Sequence, residues 1–147
     1  MRIFLFSLTF FVSITCFCQE KKLIEIRSCF KTIQGINEVE KLINISENNL
    51  DNPVILAYYY TGKLMMLDYS NNPFEKYNVF KTKTKQMDSI VSANPKNIEI
   101  RLLRYALQKN SPYFLKYSSD LRSDLNYIKS NLFKEKEYLQ VYIENLL

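Results

Sequence analysis

The sequence predicts an all-helical protein, built as stacked antiparallel helical hairpins behind an N-terminal signal peptide. Three observations carry that prediction. Each of the four prolines follows a residue that caps helices: Asn52-Pro53, Asn72-Pro73, Asn94-Pro95 and Ser111-Pro112. Apolar residues between these points recur every three or four positions, the period of an amphipathic helix. Glycine occurs only twice in 147 residues, too rarely for a fold of many tight β-turns, and no Asn-Gly or Asp-Gly hairpin dipeptide is present.

Residues 1–18 read as an export leader. Arg2 is a short positive start, and Ile3 to Phe17 run without a charge until Gln19, Glu20, Lys21 and Lys22 turn the chain polar. A membrane-spanning helix needs roughly 20 apolar residues, whereas a run of this length with these flanks suits a signal sequence. Cys16 and Cys18 occupy the small-residue positions before a cut, so cleavage is expected after Cys18. A lipoprotein acylated on Cys16 or Cys18, or an uncleaved anchor, is the alternative. The mature chain, 19–147, is then a secreted or periplasmic single domain with 19 basic against 15 acidic side chains, a net charge of +4. Cys29 remains as its one thiol, in an apolar pattern that suits a buried, inert residue.

The helices follow in order. Leu23, Ile26, Phe30 and Ile33 form the first stripe, and Gly35 is expected to stop that helix at its C-terminus. Val39, Leu42, Ile43 and Ser46 mark a second helix after Asn37. A third runs from Pro53 to about Asp68, apolar nearly all round, as a central helix must be. The fourth, Pro73 to about Ala93, opens on a capping box, Asn72 with Glu75, and turns Tyr77, Phe80, Thr84, Met87 and Val91 to one side. The fifth, near Asn97 to Lys109, places Ile98, Leu102, Leu103, Tyr105 and Ala106 inward. After a connection from Ser111 to Ser119 comes the stripe Leu121, Leu125, Ile128 and Leu132. Leu139, Tyr142, Ile143 and Leu146 either continue that helix or follow a kink near Phe133.

Two stretches resemble known patterns. Tyr58-Tyr-Tyr-Thr-Gly-Lys-Leu-Met65, with Gly62 four residues after an aromatic, and Ala93-Asn-Pro-Lys-Asn97 are similar to the tetratricopeptide repeat. The match covers about one repeat. It departs from the pattern where Lys83 and Ile90 replace small residues, and Pro95 stands late by an insertion around Ser70 to Asn78. The stretch from Asn52 through Asp124 resembles a family of small exported bacterial proteins with no assigned activity. The residues that carry it are Asn94-Pro-Lys-Asn-Ile-Glu-Ile-Arg-Leu-Leu-Arg104 and Ser111-Pro-Tyr-Phe114. The resemblance implies an all-helical periplasmic or surface protein and supplies neither reaction nor ligand.

Chemistry is constrained mainly by what is missing. The chain has no histidine, so the commonest general base and metal ligand is absent. No nucleophile–base, zinc or glycine-rich nucleotide signature occurs, and no enzyme activity, cofactor or metal is expected. The acidic pairs Glu38 with Glu40 and Glu135 with Glu137 diverge by about 200° on a helix and cannot share a substrate. Nucleic acid is not expected as a partner at this net charge without a motif. Lys81, Lys83 and Lys85 do not share one face, so any membrane contact reduces to the signal peptide or a weak basic surface. The strongest candidate site is Glu99, Arg101 and Arg104 with the loop from Ser111. Two guanidinium groups three residues apart suit a carboxylate or phosphate, and Tyr113, Phe114 and Tyr117 offer an aromatic wall. The competing reading has both arginines bridging to Asp or Glu of a neighbouring helix. The expected function is a non-catalytic binding or scaffold module of the cell envelope, holding another envelope protein or a peptide between hairpins. The alternative is an anion- or lipid-binding protein, or an enzyme, with an Arg101/Arg104 clamp.

Overall fold

A computed structural model describes residues 20–147, and the expected leader with Cys16 and Cys18 lies outside them. The described residues form seven α-helices and no strand: α1 (residues 20–31), α2 (Ile36–Glu47), α3 (Pro53–Met65), α4 (Pro73–Ala93), α5 (Ile98–Asn110), α6 (Leu121–Asn131) and α7 (Glu137–Glu144). None of these helices is long and apolar enough to cross a membrane.

Asn-Pro starts two of the helices as expected. The Asn52 carboxamide oxygen accepts from the N–H groups of Val54 and Ile55, and Asn72 does the same for Phe74 and Glu75. Each cap satisfies first-turn donors that the helix leaves open, and proline at the next position has no donor to lose. The box at Asn72 is only half closed, because the Asn72 N–H donates to the Ser70 hydroxyl and not to Glu75.

The other two proline sites end helices. Asn94 is the C-cap of α4, and its side-chain amide donates to the Ile90 carbonyl at 3.0 Å. Pro95 bars Asn94 from helical geometry, and α5 starts only after Asn97, whose side chain accepts from the Ile100 N–H. Ser111 likewise closes α5, its hydroxyl donating to the Leu107 carbonyl. Pro112 then leads into a single 3-10 turn, Tyr113–Leu115, halted by Lys116 at a φ of 52°. Asparagine and serine each carry a donor as well as an acceptor, so the residue type fits either end of a helix. Gly35 also departs from expectation. α1 is over by residue 31, with the Thr32 hydroxyl on the carbonyls of Ser28 and Cys29, and Gly35 occupies the N-cap of α2.

α3 lies at the centre, packed on α2, α4 and α5, which is why its sequence is apolar on nearly every side. α5 also packs on α4 and α6. Gly62 permits the close approach of α2 to α3: a Cβ there would lie 2.9 Å from Ile43 Cγ1. Tyr58, Leu42, Met87, Ile100, Leu103, Ile128 and Ile143 lie at the middle of the core, with Cys29 buried among them. Between α6 and α7 a 3-10 turn, Leu132–Lys134, and the extended Glu135 break the helix, so the C-terminal segment is two helices.

Candidate functional site: two charge clusters and an apolar cleft

Arg101 and Arg104 do share one face of α5, and that face meets α6. Asp124, fully buried on α6, receives both. Arg104 holds it through two parallel bonds, Nε to Oδ2 at 2.7 Å and Nη2 to Oδ1 at 2.9 Å, while Arg101 Nη1 reaches Oδ1 at 2.6 Å. Arg101 also donates from Nε to the Pro95 carbonyl and lies 4.3 Å from the centre of the Tyr127 ring. Arg104 Nη1 approaches Asp88 at 3.4 Å and Nη2 approaches Asp120 at 3.6 Å. Tyr117 completes the group, donating its hydroxyl to Asp88 Oδ1 at 3.1 Å.

Electrostatics keep the cluster closed. Burial disfavours the charged form of Arg104, yet the bonds and charge of Asp124, with Asp120 and Asp88, together hold it above its ordinary range. Burial raises the Asp88 carboxyl and the Tyr117 phenol. Of the residues the sequence singles out, Arg101, Arg104 and Tyr117 therefore converge. Tyr113 and Phe114 do not wall them, being 94% and 77% exposed. An incoming anion would have to displace Asp124 from both guanidinium groups.

Glu99 faces the other way, into a second cluster that sequence reasoning missed. Arg27 of α1 clasps it from Nε at 2.8 Å and Nη2 at 2.6 Å, and the Tyr58 hydroxyl of α3 donates to Oε1 at 2.7 Å. Tyr58 has one hydroxyl proton and gives it to Glu99, so Tyr142 of α7 is the donor in the Tyr58–Tyr142 bond. Burial, reinforced by the Glu99 charge, raises the phenols of Tyr58 and Tyr142. Four helices are thus tied to one carboxylate. Partners 72 and 84 positions apart leave no local spacing to read; the one hint was a charge, Arg27, directly beside Ile26 in an apolar stripe.

A cleft of about 630 Å³ opens between α3, α4, α5 and the turn after Pro112. Phe30 of α1, Leu64, Phe80, Leu107, Phe114 and Leu115 are among its apolar lining, and Asp68 and Lys76 are its charged residues. Two large exposed aromatics, Tyr77 and Phe114, are among the residues that line it. Open apolar surface continuous with a concavity in the size range of ligand sites makes this cleft the candidate binding surface. Among the described residues no group of three or more Cys, Asp or Glu side chains is placed to hold a metal ion. No family model, curated protein or solved structure matches this chain.

Proposed function

We propose that the chain is an exported, non-catalytic binding module of the cell envelope, and that the cleft beside α4 receives its partner. One observation carries this reading: an apolar concavity of about 630 Å³ rimmed by exposed aromatic side chains. The leader-like composition of residues 1–18 supports export, with cleavage after Cys18 and acylation as the rival outcome. The α2–α3 and α5–α6 packings support a stack of tetratricopeptide-like hairpins, in which the inter-helix groove takes an envelope protein or a peptide. The clamp reading receives no support from the geometry of Arg101 and Arg104, which are both committed to Asp124.

The test is capture from envelope extract using the chain from Gln19 onward, beside Leu107→Glu, which sets a charge into the cleft wall. The expected result is a partner retained by the parent chain and lost with Leu107→Glu, while Arg104→Ala, if folded, retains it. Capture that survives Leu107→Glu but fails with Arg104→Ala overturns the assignment to the cleft. Mass spectrometry of the mature N-terminus separates cleavage before Gln19 from acylation of a cysteine.

A further inference from the structure

We infer that α4 and the turn after Pro112 together present a docking surface for a lipid bilayer with anionic headgroups. This goes beyond the proposed function and uses outward-facing side chains beside the cleft, not the cleft itself.

At 3.6 residues per turn, Phe74, Tyr77, Lys81 and Lys85 fall within an arc of about 80° on α4, and all four are exposed. The turn after Pro112 adjoins that arc. Tyr117 sets its ring edge-on to Phe80, with centres 5.7 Å apart, and its hydroxyl donates to Asp88, which lies within the arc. The turn carries Tyr113, Phe114 and Lys116, all exposed, with Lys116 at its left-handed φ. Four open aromatic rings are thus set among three lysines.

The charge of this surface is one-sided. Among the described residues the ammonium groups of Lys81, Lys85 and Lys116 have no hydrogen bond, ion pair or ring contact. Asp88, the one carboxylate of α4 in the arc, is taken up by Arg104 and Tyr117, and Asp120 lies against the same guanidinium. Glu75 is turned about 100° from Phe74 around the helix, and Lys76 and Asp68 line the cleft outside the arc. Three free ammonium groups call for an anionic partner, and lysine suits a diffuse array of charge where arginine forks onto single anions. Arg27, Arg101 and Arg104 are all committed to carboxylates inside the fold. A bilayer interface answers both kinds of side chain at once. The rings of Phe74 and Phe114 enter the acyl boundary, the hydroxyls of Tyr77 and Tyr113 stay at the headgroups, and the lysines meet phosphate. Polyphosphate or an acidic glycan answers the lysines and leaves the phenylalanine rings wet.

Vesicle sedimentation of the chain from Gln19 onward, which contains every helix described, tests this. Binding is expected to vesicles of equal parts phosphatidylcholine and phosphatidylglycerol. Each lysine near an anionic surface is worth about fivefold, so pure phosphatidylcholine should bind about a hundredfold more weakly. Lys81→Gln, Lys85→Gln and Lys116→Gln combined should lower binding on the mixed vesicles to that level. Tyr113→Ser with Phe114→Ser, at positions the fold leaves exposed, should weaken binding to both vesicle types about tenfold. Leu107→Glu, in the cleft wall, should bind vesicles as the parent does, which separates this surface from the cleft. The chain has no tryptophan, so Tyr113→Trp gives a single reporter whose emission should shift to the blue on mixed vesicles. Absence of vesicle binding, equal affinity for both vesicle types, or parent-like binding by either combined variant overturns the inference. So does an unshifted Tyr113→Trp emission, loss of binding in a Leu107→Glu chain of parent helicity, or tighter binding to single-stranded oligonucleotide or an acidic peptide. If vesicles fail, this inference falls alone, and capture from envelope extract through the cleft still upholds the proposed function.

Discussion

Asp124 accepts three hydrogen bonds from two arginines while fully buried, so both guanidinium groups depend on this one carboxylate. Removing one partner from a buried pair leaves the other uncompensated, and Asp124→Asn is expected to cost about 3 kcal/mol, read as a lower urea midpoint. Retention of the parent midpoint would show the pairs to be dispensable. The phenols give a pH prediction. Tyr58, Tyr117 and Tyr142 are raised above the ordinary value of 10.0, chiefly by burial. A raised folded value favours the protonated form, so their contribution is whole below about pH 10 and is lost as pH climbs beyond it, where the unfolded chain gives up protons that the fold retains. Ultraviolet absorbance and circular dichroism followed together should show these three phenolates appearing only as helicity collapses; full ionisation of all eleven tyrosines in a helical protein would contradict it. At this scale the sequence was half legible. The three-residue spacing of Arg101 and Arg104 correctly placed both on one face. It could not reveal that Asp124, twenty positions beyond Arg104, waits opposite them.

At the level of the helix, caps and close approaches set the expectations. Asn52→Ala removes the acceptor for two N–H groups of α3 and should lower stability by about 1 kcal/mol. Gly62→Ala sets two effects against each other. Alanine improves helix propensity by up to about 1 kcal/mol, but the new methyl meets Ile43 and Leu42 in a packed seam, where overpacking costs about 1–3 kcal/mol. The crowding should win, giving a net loss of about 1 kcal/mol in thermal or chemical unfolding; a stabilised variant would mean that α2 and α3 separate freely. Helix existence was the most legible property of the chain, because a period of 3.6 repeats within each segment. Direction at the caps was not. Asn72 and Asn94 look alike as dipeptides with proline, yet one opens α4 and the other closes it. Helix ends depend on which carbonyl or N–H lies within reach, a matter settled over several residues and not two.

Taken together, the helices form one body because α3 packs on α2, α4 and α5, its Tyr58 meets Phe30 of α1, and Glu99 draws on α1, α3 and α7. Deleting residues 137–147 removes the buried Leu139, Tyr142 and Ile143, and the loss of at least about 3 kcal/mol should appear as a broadened, early melt. A shortened chain that melts as sharply as the parent would assign α7 no part in the core. The list of helices could be drawn up from the sequence, and consecutive helices from α2 to α6 do meet as hairpins would, but the bonds that tie in α1 and α7 bridge 72 and 84 positions and leave no local pattern. Such bridges also bear on biosynthesis. Synthesis makes Arg27, Tyr58 and Glu99 before Tyr142, the last member of the cluster. The flank that Tyr142 covers therefore closes only after the helices beneath it have been made.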